Sequence, residues 1–429
     1  MSLLIETQPA YSQKKDQGTS FVLPEIMVET SKKQKSVHTL DPESVMPKSI
    51  LTADEIKELG AKTAADAIIL SPGVTPTGPG DSGDRFESIQ IRGFNPDYTL
   101  VLIDGQRTTS QSAEGKFDLS TINADEIEKI EIIRGPQALL YGSDAIGGVV
   151  NIILKIPKDH FGMGVSAGYG QLNTFRSRAF IEGPLSKKFR VRLGGRYDFS
   201  DGFTDIFDLD RDLRQKSLKS DRKPQRTGEM RADFHWDIKN KTKARFSFRY
   251  LNRNLSVRRE FNKFVEEGTE SGHDNKQDIE GTAILEKTNL WGGRGEFSLR
   301  GYSSQLNKIR EKNFVSRDSG RFIFREQSTQ NDDIVDTLLS TRLLYERPLG
   351  KKNKLTTWWE TRWQKRNSNN NGRVRRFDEQ DILISDSASD KPEKIYNKNE
   401  FFFAGGFQDE ITFKHLSASA GLRVEKTIN

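Results

Sequence analysis

The sequence predicts a small α+β domain followed by the antiparallel strands of a transmembrane β-barrel. Two patterns and one compositional fact point there. Between Ile89 and Lys155 the chain packs three short β-like runs, closed by Gly93, Gly105 and Gly135 and by the Gly147–Gly148 pair. After about Phe161 apolar and charged residues alternate with period two, the signature of strands with one greasy face. The 429 residues are only 34% hydrophobic and 30% charged, yet they include 26 Phe, 9 Tyr and 5 Trp. Dense charge alone would suit disorder, but disordered chains are poor in aromatics. A barrel needs lipid-facing apolar groups only at alternate positions.

No run reaches the ~18 apolar residues of a membrane helix. The richest, Val149 to Ile156, is broken by Asn151 and Lys155, so a helical membrane protein is excluded. The lack of cysteine removes disulfides, thiolate metal sites and cysteine nucleophiles together. The 67 Lys+Arg against 61 Asp+Glu leave +6, spread too thinly for a nucleic-acid patch. Histidines 38, 160, 235, 273 and 415 lack metal-ligand spacing. Met1 to Gln13 offers no apolar core of a secretory signal.

Residues 1–46 read as a polar, flexible segment holding one extended patch, Leu23 to Thr30. Residues 47–157 should form the α+β domain. Thr52 to Glu55 is a capping box for a helix through Leu59, and Thr63 to Asp66 opens another through Leu70. Thr75 to Asp84 reads as a Gly/Pro loop, and Asn123 caps a turn feeding a strand from Lys129 to Arg134. Residues 158–429 should be strands. Met230, Ala232, Phe234 and Trp236 alternate with Arg231, Asp233 and His235; Phe246, Phe248 and Tyr250 alternate with Arg245 and Arg249. Glu182–Leu185 and Lys239–Lys241 read as short turns. Lys216–Thr227, Asn252–Thr288 and Asn367–Lys398 read as long loops on the opposite rim.

Three enzymatic or metal motifs fail on context. Gly78 to Gly83 fits G-x-G-x-x-G without a strand before it or a helix after it. Gly80-Asp81-Ser82-Gly83 has only His38 upstream as a base. Asp208, Asp210 and Asp212 open like an EF-hand, but Leu213 and Lys219 stand where Gly and Glu belong.

Other motifs are specific. Ile91-Arg92-Gly93-Phe94, Leu102-Ile103-Asp104-Gly105, Glu128-Lys129-Ile130-Glu131, Gly135-Pro136, Leu140-Tyr141-Gly142 and Gly147-Gly148-Val149-Val150-Asn151-Ile152 occur in order. This run resembles the plug domain of TonB-dependent outer-membrane receptors, with Leu154-Lys155 where Thr-Lys is usual. The resemblance implies a cork inside a barrel, no catalytic site, no cofactor and no resident metal. It implies location in the outer membrane of a Gram-negative-type bacterium, among lipid and lipopolysaccharide, and active uptake of a scarce nutrient. A ferric siderophore is the leading class, with cobalamin, haem and glycans as alternatives. Glu25, Ile26, Met27, Val28, Glu29 and Thr30 would form the TonB box, adding a strand to TonB, which works with ExbB and ExbD. Arg92 and Arg134 would hold barrel carboxylates, with pairing inside the plug as the alternative. Arg85, Phe86, Phe94, Asn95 and Tyr98 would face ligand. Arg190, Arg192, Arg196, Arg222 and Arg226 would attract anionic ligands. Full-length barrels of this kind have about 22 strands. The ~270 residues after the plug hold roughly ten to twelve, so the expectation is a plug and an incomplete barrel, either part of a receptor or a truncated, non-transporting remnant.

Overall fold

A computed structural model describes residues 48–69, 71–77, 88–108, 117–201, 203–207, 215–239, 241–263, 266–318, 321–350, 352–388, 396–413 and 416–428. The candidate TonB box, Glu25 to Thr30, lies outside the described residues, as do Arg85 and Phe86.

The plug begins with β1 (Lys48–Thr52), α1 (Ala53–Glu58) and α2 (Ala64–Ile68). Both helices start at reciprocal capping boxes. Thr52 N donates to Glu55 Oε2 at 2.6 Å and Glu55 N to Thr52 Oγ1 at 3.4 Å; Thr63 and Asp66 repeat the pair at 2.9 and 3.3 Å. Next come β2 (Val74–Thr77), β3 (Ser88–Ile91), β4 (Thr99–Ile103), β5 (Gln106–Arg107), β6 (Ile127–Arg134), α3 (Ala138–Tyr141) and β7 (Gly148–Leu154). The supposed Gly/Pro loop thus opens with a strand, β2, which pairs with β3.

The main plug sheet has the order β1-β6-β7-β4-β5, parallel only between β4 and β7. Every residue of β7 is buried because both faces of the sheet are covered. Ile130, Ile132, Val150 and Ile152 pack under α1 and α2 with Ile56, Ala64 and Ile68. Leu100, Leu102, Ile133 and Val149 pack on the other face with Ala145 and Tyr141. Gly148 sits where a Cβ would lie 2.5 Å from the Ile133 carbonyl oxygen.

The rest is one antiparallel sheet of thirteen strands. They are β8 (Gly162–Gly170), β9 (Thr174–Ser186), β10 (Phe189–Ser200), β11 (Phe203–Phe207), β12 (Gln215–Ile238), β13 (Thr242–Lys263) and β14 (Glu266–Leu290). There follow β15 (Gly293–Asp318), β16 (Arg321–Leu349), β17 (Asn353–Phe377), β18 (Leu383–Ala388), β19 (Tyr396–Phe413) and β20 (Leu416–Ile428). Neighbours pair in chain order from β8 to β20, with β11 and β18 as side hairpins on β12 and β17. The two edges, β8 and β20, do not pair with each other in the sheet.

The alternation runs as expected. Met230, Phe248, Leu343 and Trp359 stand 67%, 47%, 51% and 51% exposed on the outer face, while Arg300 and Lys276 inside are 1% and 2% exposed. Greasy outside and ionic inside inverts a soluble protein and is the pattern of a membrane barrel.

Two expectations about connections need correction. The presumed long loops are mostly strand: β12, β13, β14 and β17 run through most of those residues. A bilayer needs only ~9–11 residues per strand, so each sheet strand of 22 to 29 residues stands far clear of it. These stretches are rich in polar and charged residues, so in the sequence they mimic loops. Glu182–Leu185 also lies within β9; the reversal falls at Lys187–Lys188, and the register shifts at Phe189/Arg190.

Candidate functional site

The plug meets the inner face of the sheet through guanidinium groups, and almost all of them come from the wall. The contact centres on Asp118 to Glu126. Two consecutive 3-10 turns, Leu119–Thr121 and Ala124–Glu126, are capped by Asp118 and Asn123, whose Oδ1 atoms accept from Ser120 N and Asp125 N at 3.1 and 3.2 Å. Such short turns leave carbonyls unspent within the segment. The Thr121 carbonyl accepts from Arg196 Nη2 at 3.2 Å and Arg249 Nη2 at 2.6 Å, filling both lone pairs. The Nε atoms of the same two arginines lie 2.6 and 2.7 Å from the Glu229 carboxylate, closing a box between plug and wall.

Carboxylates flank this box. Arg253 Nη2 donates to Asp118 Oδ2 at 2.6 Å and its Nη1 to Ser120 Oγ at 3.0 Å. Asp118 is completely buried. Burial alone would push its carboxyl up, but Arg253 and Lys276, with the Ser120 hydrogen bond, outweigh that and hold it below the usual carboxylate range. Arg192 donates to both Glu126 oxygens, at 3.3 and 3.2 Å, and to Glu182 at 3.0 Å, above the Phe180 ring at 4.3 Å. Arg178 pairs with Asp125 at 2.7 Å.

A second cluster surrounds the Asp104–Gly105 turn between β4 and β5. Both residues have positive φ, 50° and 75°, as a two-residue hairpin turn of this twist demands. Asp104 Oδ1 accepts from Leu154 N at 3.0 Å, and Gly105 N donates to Asn151 Oδ1 at 3.0 Å. Asp104, Gly105 and Asn151 therefore tie the hairpin to β7. The wall then grips the tied turn. Arg245 lies 3.2 Å from Asp104 Oδ2, Arg342 Nη1 donates to the Gly105 carbonyl at 2.9 Å, and Arg300 donates to the Arg107 carbonyl. At β20, Arg423 Nη1 donates to the Leu140 carbonyl at 3.1 Å, beside Gly142.

Of the two alternatives for Arg134, the structure shows pairing inside the plug, while most guanidinium groups of the plug–wall contact come from the wall. Arg134 does not reach barrel carboxylates: its Nε donates to the Pro72 carbonyl at 2.9 Å and its Nη1 to Ser49 Oγ at 2.6 Å, both in the plug. Burial and then the nearby Arg92 charge lower its pKa from the ordinary guanidinium value. Arg92 itself is exposed in the turn after β3, at φ 52°, with its N–H on the Gly73 carbonyl at 2.9 Å. Its side chain holds no barrel carboxylate among the described residues. The physical reason is that β6, which carries Arg134, lies inside the plug sheet between β1 and β7. Among the described residues the wall contacts come mainly from the Asp118–Glu126 segment, the β4–β5 hairpin and α3.

The wall arginines are also not spread out for ligand. Arg192 and Arg196 are spent on the plug, and Arg190 pairs with Asp237 at 2.8 Å. Arg226 lies over the Phe199 ring at 5.6 Å, and nothing is described for the Arg222 side chain. Phe94, Asn95 and Tyr98 are exposed together on one plug turn. Gly147 lets that turn close: its N–H donates to the Tyr98 carbonyl at 2.9 Å, and a Cβ there would meet Phe94 Cβ at 2.9 Å. Gly93 and Gly142 also have positive φ, 78° and 84°, and Gly135, ahead of Pro136, has 113°. Burial pushes the Tyr141 phenol up to about 12, so it stays neutral.

The plug–wall site was missed because the sequence reading looked for plug arginines. The signal was available: Asp118, Asp125 and Glu126 cluster in one plug loop, while Arg245, Arg249 and Arg253 share one strand face.

A cork-like α+β domain held by polar contacts against the ionic face of an inside-out antiparallel sheet defines the fold class: a plug followed by β-barrel strands. Residues 42–149 match the family model described as TonB-dependent Receptor Plug Domain, so the chain carries such a plug. Among solved structures, the siderophore receptor PiuA from Acinetobacter baumannii is similar at TM-score 0.51 and 12% identity, over 89% of this chain and 61% of that one. The ferric yersiniabactin uptake receptor FyuA from Yersinia pestis gives 0.46 at 11% identity, over 89% and 72%. The ferric enterobactin receptor PfeA from Pseudomonas aeruginosa gives 0.44 at 16% identity, over 87% and 71%. At 12% identity the likeness to PiuA is one of fold alone.

Proposed function

We propose that this chain forms the plug and part of the wall of a TonB-dependent outer-membrane transporter that takes up a scarce, bulky nutrient, with a ferric siderophore as cargo. The observation that carries the reading is the plug-domain match at residues 42–149 on a domain seated against the lumen face of a barrel-type sheet. The seating is made of hydrogen bonds and ion pairs that water can replace, so the plug can be displaced without breaking a hydrophobic core. Cargo binding at the exposed turn of Phe94, Asn95 and Tyr98, together with Arg85 and Phe86, would bias the plug. Glu25 to Thr30 would then add as a strand to TonB, which with ExbB and ExbD supplies the energy. The outward apolar face would meet lipid and lipopolysaccharide. No catalytic step enters this reading.

The test is uptake of iron chelates by a strain relying on this gene under iron limitation. Ile26→Pro removes a backbone donor from the proposed box and should abolish uptake while leaving chelate binding at the cell surface intact. Equal uptake of every chelate with and without the gene would reject the siderophore; normal uptake by Ile26→Pro would reject the box.

A further inference from the structure

A cavity of about 310 Å³ lies between the plug hairpin β4–β5 and wall strands β16–β17, with Thr99, Gln106, Arg107, Arg342, Glu360 and Arg362 in its lining. It is far larger than the ~10–15 Å³ that admits one water. Its lining sets Arg107, Arg342 and Arg362 against Asp97, Asp144 and Glu360, and the carboxylates are unevenly shared among the arginines. Arg107 takes Asp144 as an ion-pair partner, sits 3.9 Å from Glu360, and donates to the Tyr141 carbonyl. That leaves Arg342 and Arg362. Arg342 spends one N–H on the Gly105 carbonyl at 2.9 Å and lies 5.9 Å from the Tyr141 ring centre. Arg362 stacks over the Phe402 ring at 4.5 Å and makes no ion pair or hydrogen bond among the described residues. A guanidinium stacked by its face keeps its in-plane N–H donors for something else. Two neutral groups of the lining are also unspent: Thr99 Oγ1 and Gln106 Nε2 are buried without a hydrogen-bond partner among the described residues. Buried polar atoms seldom stay unpaired, and such sites are filled by water or by ligand.

We propose that this cavity binds a small oxyanion, a carboxylate or phosphate group, between Arg362 and Arg342, with Gln106 and Thr99 completing its hydrogen bonds. The site lies against the wall beside the β4–β5 hairpin, apart from the exposed Phe94–Tyr98 turn. Because Arg342 also holds Gly105, an anion drawing on its remaining donors bears directly on one of the wall's grips on the plug. The inference goes beyond the transport reading and does not require it: a chain that binds the anion but moves no cargo would still satisfy it.

The test is calorimetric titration of the full chain in detergent micelles with inorganic phosphate and, separately, with citrate. Saturable binding of at least one is expected. Arg362→Gln should weaken it about tenfold or more, the loss expected of a charge-assisted hydrogen bond. Gln106→Leu should weaken it by a smaller factor, and Arg362→Lys should lie between. Arg190→Gln, whose partner is Asp237, should bind as the unaltered chain does. Phosphate binding without citrate points to the free ion as occupant, and tighter citrate binding to a carboxylate borne by cargo. Absence of saturable binding for both anions overturns the proposal, as does wild-type affinity in Arg362→Gln. If Arg362→Gln does not fold, unaltered affinity in both Gln106→Leu and Arg362→Lys overturns it equally.

Discussion

Replacing Asp118 by asparagine isolates the charge that anchors the plug loop. The side chain keeps its shape and an oxygen able to accept from Ser120, whose N–H and Oγ lie 3.1 and 2.6 Å from Oδ1. What vanishes is the negative charge 2.6 Å from Arg253 Nη2, at a position with no solvent exposure. Removing one partner of a buried pair costs about 3–5 kcal/mol, because the other charge is left uncompensated. Arg253 retains Ser120 Oγ at 3.0 Å and is 11% exposed, so the lower end applies. About 3 kcal/mol is roughly a hundredfold in the equilibrium between seated and displaced loop. Hydrogen exchange on the full chain in lipid vesicles should therefore show residues 117–134 exchanging faster by that order in Asp118→Asn, with strands β14–β16 unchanged. Asp97→Asn, on the exposed turn, is the control. Equal protection in Asp118→Asn and the unaltered chain would refute the view that the wall grips the plug through this carboxylate. The pH dependence has a fixed sign. Because the Asp118 pKa is lowered in the folded protein, its contribution is present above the ordinary aspartate value of 3.8 and is lost as pH falls below it. Protection of this loop should fail in acid and hold at neutral pH.

Other outcomes follow from the same contacts. Arg134→Gln should release β1, raising exchange at residues 48–52 by a loss of about 1.5–3 kcal/mol. That effect should be insensitive to salt, because the partners are a carbonyl and a hydroxyl; a strong salt dependence would restore the idea of an ion pair to the barrel. Gly148→Ala should lower the melting temperature of the plug, since its Cβ would sit 2.5 Å from the Ile133 oxygen and such overpacking costs about 1–3 kcal/mol. Glu126→Gln should loosen the plug less than Asp118→Asn, because Arg192 keeps Glu182 at 3.0 Å; plug exchange rates in the two variants measure the difference.

Local chemistry decided much of this protein before any folding was seen. The capping residues Thr52 and Thr63, the Asp104–Gly105 reversal and the order of plug motifs are set by neighbours a few positions away, so the sequence displays them directly. The every-other-residue pattern of Met230, Phe248 and Trp359 likewise marks which face of each strand meets lipid. The extended strand ends are rich in polar residues, and the length of β13, β14 and β17 became visible only through inter-strand pairing. The partners of Arg134 were equally out of reach, because Ser49 lies 85 residues away and only the plug sheet brings them together. The same holds for Arg249 on the Thr121 carbonyl, 128 residues apart. A charge's chemical type is written in one residue; which opposite group it meets depends on how distant strands pair, and that is a property of the folded chain alone.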